Sequence, residues 1–305
     1  MAPEALERML GALTVSPYDE MVAYEYLYSL DGSSLRKITK DTVLAGKLPS
    51  QVLAERFGTL VPPEGIEEVE ELIDRKLGTM SVAVNNTTTW PDKLADSEHP
   101  TPLFYYRGDI GLMDAKSISI VGSRKASPEG LARASRLARE LVALGVVVVS
   151  GLAKGIDTAA LTSALSNGGR VIAVIGTPID QAYPAENKGL QDEIANRHLL
   201  VSQVPFFKYA KQSFETKRYY FPERNELMAA ISDATVIVEA SDTSGTLTQA
   251  RACMHQGRQL FIMRSCYEDE HVSWPKKWAE RENVHILDST EQLCAILGFE
   301  VGARA

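Results

Sequence analysis

The 305-residue sequence holds three cysteines, Cys253, Cys266 and Cys294, and no two of them form a CxxC pair. A disulfide scaffold and a cysteine-based zinc site are poor readings of so sparse a set, which suits a reducing compartment. Five scattered histidines give no HxxxH pair, so neither a metal centre nor a metal-dependent enzyme is expected. No apolar run approaches the roughly 18 to 20 residues needed to cross a bilayer. The opening Met1–Glu7 has no basic stretch leading into an apolar one, so a secretory leader is not expected and the cytoplasm is the expected location. What remains is 45% hydrophobic and 24% charged, a globular profile long enough for one large domain and one small one.

The net charge of −8 argues at first sight against a polyanionic partner. Its distribution reverses that reading. Residues 1–115 carry 10 Lys and Arg against 19 Asp and Glu, whereas residues 116–305 carry 22 against 21. The acidity belongs to the front of the chain, and any polyanion site is expected in the back.

Residues 1 to about 80 read as helical, with periodic segments at Ala5–Leu13 and Glu64–Leu77 and a stop at Pro62-Pro63. Gly78–Thr89 reads as a linker or turn, which places the domains at 1–84 and 85–305. From Ser117 the pattern alternates. Strands are predicted at Ser117–Val121, Val146–Ser150, Arg170–Ile175, Leu199–Ser202, Thr235–Glu239, Gln259–Met263 and Val284–Leu287. Helices are predicted at Ser127–Leu144, with Ser127 as N-cap and Pro128 in the first turn, and at Ile156–Asn167, Asn187–Arg197, Glu223–Ser232, Gly245–Gln256 and Thr290–Leu297. Continuous apolar strands alternating with helices define an α/β protein with a parallel sheet covered on both faces, preceded by a small helical domain.

In such a sheet ligands gather at the carboxyl ends of the strands, and four of those ends carry glycine-rich or polar loops. Val121-Gly122-Ser123-Arg124-Lys125 turns at glycine and leads to a helix whose free N–H groups suit an anion, with Arg124 able to add a bidentate phosphate contact. Ser150–Asp157 repeats the theme with Lys154. Gly176-Thr177-Pro178 runs on to Tyr183-Pro184 and Asn187. Glu239–Thr248 places Ser244, Gly245 and Thr246 before a helix. Any one of these is an ordinary turn by default; four on one edge, two with a cation, point to a phosphate-binding edge. Neither a Walker A sequence nor GxGxxG is present, so ATP hydrolysis, NAD and any other cofactor are not expected.

Seven of the 22 aromatic residues fall between Phe206 and Phe221, interleaved with Lys208, Lys211, Lys217 and Arg218 and followed by Arg224. Cations that track a sugar–phosphate backbone and rings that stack on unpaired bases are the combination used for single-stranded nucleic acid. The plainer alternative is a loop whose rings pack while its lysines face solvent. Trp274 and Trp278, with Lys276 and Lys277 between them, read as a surface element before they read as a second stacking patch.

Taken in order, these segments resemble the DNA-processing protein A family (DprA/Smf). The resemblance rests on Trp90–Leu94 through Pro102–Asp109, Ile120–Arg124, Ser150–Asp157, Tyr183-Pro184 with Asn187, Phe221-Pro222-Glu223-Arg224-Asn225 and Ser244–Leu247, roughly residues 90–264. It implies an extended Rossmann-like domain, a homodimer without catalytic turnover, binding of single-stranded DNA, and loading of the RecA recombinase in DNA uptake and recombination. The DNA pocket it implies comprises Gly122, Ser123, Arg124, Lys154, Arg218, Phe221, Arg224 and Asn225, with Arg124, Lys154 and Arg218 on phosphates and Phe221 against a base. Glu226 departs from the family pattern, where an arginine usually stands, and is expected to weaken the local positive field. With 41 residues after Arg264, the family's C-terminal winged-helix domain is expected to be absent.

Two other readings use the same edge. The Ser244-Gly245-Thr246 loop also resembles that of the LOG nucleotide phosphoribohydrolases, but Gln249 stands where their catalytic glutamate would be, and an amide is no general base. Asp157, Glu239 and Asp242 near the edge read as loop anchors. A nucleotide-binding sensor is the second alternative, distinguished by saturation with a single nucleotide.

Overall fold

The computed structural model describes residues 15–58, 61–95 and 97–299. The periodic segment Ala5–Leu13 lies outside the described residues. The chain forms two compact units, the first made of residues up to Trp90 with Pro100–Tyr106 and Gln203–Lys217, the second of Pro91–His99, Arg107–Ser202 and the chain from Arg218 onward.

In the first unit, helices α1 (Pro17–Ser29), α2 (Leu35–Asp41), α3 (Pro49–Phe57) and α4 (Ile66–Asp74) surround a core of which α1 is the centre. Every residue of α1 from Glu20 to Tyr28 is buried, so its polar groups need protein partners. The Glu20 carboxylate accepts from the Ser50 N–H at 2.9 Å and the Ser50 hydroxyl at 2.5 Å. Glu25 accepts from the Tyr105 hydroxyl at 2.6 Å and from the N–H groups of Phe206 and Phe207, each at 2.9 Å. Burial nevertheless dominates those three donors and pushes the Glu25 carboxyl up to about 7.

Strands β1 (Ser81–Val84) and β2 (Leu103–Gly108) pair antiparallel, with Ser81 opposite Tyr106 and Val84 opposite Leu103. The segment Gly78–Thr89 is therefore not merely a linker. Its strand is four residues long and its partner is remote in sequence, so local composition showed only the turn that follows, where Asn86 takes a φ of 64°. The aromatic stretch is largely helical, at Phe206–Lys211 and Phe214–Lys217.

The second unit contains β3 (Ser117–Val121), β4 (Val147–Ser150), β5 (Val171–Val174), β6 (Leu199–Ser202), β7 (Ala234–Ile237), β8 (Gln259–Met263) and β9 (Val284–Leu287). All seven are parallel, in the order β6-β5-β4-β3-β7-β8-β9. Strands β3 to β7 are buried along their whole length, as continuous apolar runs require. The unit's helices of eight or more residues are α5 (Pro128–Ala143), α6 (Ile156–Ser166), α7 (Lys188–Arg197), α8 (Tyr220–Ala230), α9 (Thr246–His255) and α10 (Thr290–Leu297). Ser127 caps α5, its hydroxyl accepting from the Gly130 N–H at 3.0 Å, with Pro128 in the first turn. Ala134, Leu137, Ala138 and Leu141 form the buried stripe of α5 at helical spacing. Helices α5 and α6 pack together as one layer, α8 and α9 as another. The chain steps outward from β3 in one direction to β6, then returns to the other side of β3 for β7. Crossovers that run in opposite directions from β3 put helices on both faces and open a crevice between the β3 and β7 loops.

Candidate nucleic-acid interface

A cavity of about 510 Å³ occupies that crevice. Its walls come from the β3 loop (Val121–Lys125), Ala153 and Asp157 after β4, one face of α8, and Ser241–Gln249 after β7. The Ser123 N–H donates to the Glu239 carbonyl at 2.7 Å, and the Thr246 hydroxyl donates to the Gly122 carbonyl at 3.1 Å. These bonds tie the two loops into one rim.

Nine of the eleven residues expected in the site line the cavity: Gly122, Ser123, Arg124, Phe221, Arg224, Asn225, Ser244, Gly245 and Thr246. Lys154 and Arg218 do not. Lys154 is exposed and pairs with Glu186 at 2.8 Å. Arg124 is exposed and makes no ion pair among the described residues; its guanidinium lies 5.5 Å from the centre of the Phe221 ring. Tyr183 faces the same ring at 5.8 Å, which adds a second aromatic surface half open to solvent.

Arg224 has a different role from Arg124. It is buried, and Nη1 donates to the carbonyls of Gly151 at 2.6 Å and Val174 at 2.8 Å, while Nε donates to Asn225 Oδ1 at 2.9 Å. It thus clamps the ends of β4 and β5 to α8. Desolvation lowers its guanidinium to about 10, against the pull of Asp157. Burial likewise raises the Asp157 carboxyl, with Arg224 opposing. Two glycines make this possible. A Cβ on Gly151 would collide with the Arg224 guanidinium, and one on Gly176 would sit 2.6 Å from Phe221 Cδ1. Phe221, Arg224, Asn225 and Met228 all line the cavity, at positions i, i+3, i+4 and i+7 of one helix face. Glu226 falls off that stripe and lies 3.9 Å from His99 Nδ1, so it is not a wall residue.

The carboxylates of this edge are engaged as anchors. Asp157 accepts from the N–H groups of Gly151 at 3.1 Å and Ala153 at 3.4 Å. Glu239 accepts from the Ser127 N–H and hydroxyl, and Asp242 from the N–H groups of Ser273 and Trp274. Asn187 donates to the Leu152 carbonyl at 2.8 Å and so supports a leucine held at a φ of 57°.

The aromatic segment divides. Phe206 is buried against Tyr105, Phe207 lies 3.8 Å from Lys211 Nζ, and Tyr209 lies 4.5 Å from Lys217 Nζ. Phe214 and Tyr219 remain largely exposed. Trp274 is buried and donates to the Ala240 carbonyl at 2.9 Å, so the second tryptophan patch is mainly packing. Sequence reasoning did not assign Tyr183, Met228 or Asn187 to the site. The signals for them were the Tyr183-Pro184 and Asn187 motif and the helical spacing from Phe221 to Met228.

A parallel sheet with a cavity at its switch point, rimmed by glycine loops, is the architecture of a Rossmann-like α/β protein. The chain belongs to the DNA recombination-mediator protein A family, whose profile matches residues 81–297. It is 38% identical over 174 residues to the DNA processing protein DprA of Streptococcus pneumoniae, an alignment covering 57% of this chain and 59% of that one. It is 27% identical over 250 residues to DprA of Bacillus subtilis, covering 82% and 79%. Among solved structures, S. pneumoniae DprA superposes with a TM-score of 0.71 at 25% identity, over 94% of this chain and 99% of that one. DNA processing protein A from Helicobacter pylori, solved to describe its single-stranded DNA binding mode, gives a TM-score of 0.60 at 26% identity, over 72% and 96%. Among the described residues no helix is long and apolar enough to cross a membrane, and no group of three or more metal-ligating side chains is gathered.

Proposed function

We propose that the protein binds single-stranded DNA at the switch-point cavity. The observation that carries this reading is the pairing of an exposed, unpaired Arg124 with the Phe221 ring at the mouth of a glycine-rimmed cavity. Arg124 and Lys125 attract phosphates, and Phe221 and Tyr183 offer faces on which unpaired bases stack. Lys154 and Arg218, outside the cavity, extend the phosphate track along the surface. That the H. pylori relative has a single-stranded DNA binding mode supports the choice of ligand. By extension from the family, the bound strand is protected and passed to the RecA recombinase by a homodimer. The engagement of Asp157, Glu239 and Asp242 by backbone donors, with Gln249 at the hydrolase glutamate position, favours binding without turnover.

The test is fluorescence anisotropy with labelled oligo-dT at two salt concentrations, competed with duplex DNA and with AMP. Salt-sensitive binding displaced by single strands supports the reading. Absence of binding, or an affinity for AMP equal to that for the oligonucleotide, overturns it in favour of a nucleotide sensor.

A further inference from the structure

We propose that Gln249 reads the edge of a nucleobase inserted into this cavity, its side-chain oxygen accepting an N–H from the base. The inference rests on the strand-binding reading above and adds to it a position that contacts the base itself.

Gln249 is 1% exposed and lies in the cavity wall on α9. Its buried neighbours on that helix, Leu247, Ala250, Ala252 and Cys253, are apolar or nearly so, and the one other buried polar residue, Thr246, has its hydroxyl on the Gly122 carbonyl. A leucine or methionine would fill such a place without any polar group to desolvate. The amide is also oriented: Nε2 donates to the Thr235 hydroxyl at 3.3 Å. The nitrogen end is thereby satisfied. The oxygen end is buried and has no hydrogen-bond partner. Buried acceptors without a donor are uncommon in folded proteins. In a cavity wall, such an acceptor is completed by a ligand that brings a donor.

The chemistry of that donor follows from the rest of the wall. Cations Arg124 and Lys125 and the glycine loops stand at the rim, where phosphate would sit, and the Phe221 ring offers a stacking face. Asn225 has its oxygen occupied by Arg224 Nε, which leaves its amide nitrogen as a donor in the same wall. An acceptor and a donor together match the Watson–Crick edge of a nucleobase, where every base carries at least one N–H beside a lone pair. A cavity of about 510 Å³ lies within the usual size range of small-ligand sites.

The experiment compares three probes on the full chain: thymidine 5′-monophosphate, its N3-methyl analogue, and 2-deoxyribose 5-phosphate. Each is titrated against the unmodified protein, Gln249→Leu and Gln249→Met. The N3-methyl group removes the donor without altering the protein, so the result does not depend on a variant folding. Thymidine monophosphate is expected to bind the unmodified protein about tenfold more tightly than the methylated analogue, the worth of one net hydrogen bond. That advantage is expected to vanish in both variants, while deoxyribose 5-phosphate binds all three proteins alike. Equal affinity of the two nucleotides for the unmodified protein, no saturable binding of thymidine monophosphate, or an advantage that persists in both variants overturns the assignment. An oligo-dT titration of the same preparations separates the two failures. Salt-sensitive strand binding with equal nucleotide affinities removes the base-reading role alone; no strand binding removes the reading beneath it as well.

Discussion

Arg224→Lys distinguishes a structural clamp from a phosphate contact. Both residues carry one positive charge, so a long-range electrostatic role would survive the exchange. The clamp would not. Arg224 makes three hydrogen bonds from two different nitrogens, reaching the ends of β4 and β5 and the Asn225 side chain at once. A single ammonium on a shorter fork-less side chain keeps about one of them. Loss of two charge-assisted bonds at about 1.5 kcal/mol each predicts a destabilisation of about 3 kcal/mol. For a unit of this size that lowers the unfolding midpoint by about 6 to 12 °C. The salt dependence of oligo-dT binding should stay the same, because the donors that define Arg224 point at carbonyls. Calorimetric melting and anisotropy at several salt concentrations on the same protein give both numbers. Unchanged melting would refute the clamp, and a salt slope lower by about one in the uncharged Arg224→Met would make Arg224 a phosphate ligand.

Arg124→Ala should do the reverse: unchanged melting, weaker binding to all single strands, and a salt slope lower by about one. Phe221→Ala should weaken oligo-dT binding by about 1 to 3 kcal/mol at an unchanged salt slope, since it removes a stacking face and no charge; Gly176→Ala, whose Cβ would press on the ring, should act in the same direction. Glu25 predicts a pH dependence of stability. Its folded value of about 7 lies above the ordinary 4.5, so between those pH values the folded chain holds a proton that the unfolded chain has lost. Its contribution to stability should therefore fall as pH rises from about 4.5 to 7, by about 3 kcal/mol in all, and level off above; urea unfolding across that range should show stability changing by that much more in the native chain than in Glu25→Gln. Lys154→Ala, which removes only an exposed pair with Glu186, should change stability by less than about 1 kcal/mol.

The parallel sheet was legible because buried strands such as Val147–Ser150 are apolar along their whole length and their helices carry local punctuation, as at Ser127-Pro128. Strand β1 was not, because four residues become a strand only through a partner brought from Leu103–Gly108. The cavity loops were legible as glycine-rich strand ends. The division of labour between Arg124 and Arg224 was not: both are arginines beside a motif, and only burial and the carbonyls of Gly151 and Val174 separate them. The fate of the aromatic stretch was also beyond composition, since Glu25 on α1 captures the amides of Phe206 and Phe207 from far along the chain.

The Phe221-Pro222-Glu223-Arg224-Asn225 segment gains its meaning from helical geometry. Positions 221, 224, 225 and 228 share one face of α8, so a single helix carries an aromatic platform, a buried clamp, an amide donor and an apolar wall. The platform's position depends on the clamp, because Arg224 holds α8 against the ends of β4 and β5 while Phe221, one turn earlier, rests on Gly176 just beyond β5. Perturbing the clamp should therefore move the platform without touching any rim cation. On this argument Arg224→Lys weakens strand binding by no more than Phe221→Ala does, and the two changes combined cost less affinity than the sum of each alone. Full additivity in a double-mutant cycle of oligo-dT affinities would show that clamp and platform act independently, and that α8 is merely a scaffold for two unrelated contacts.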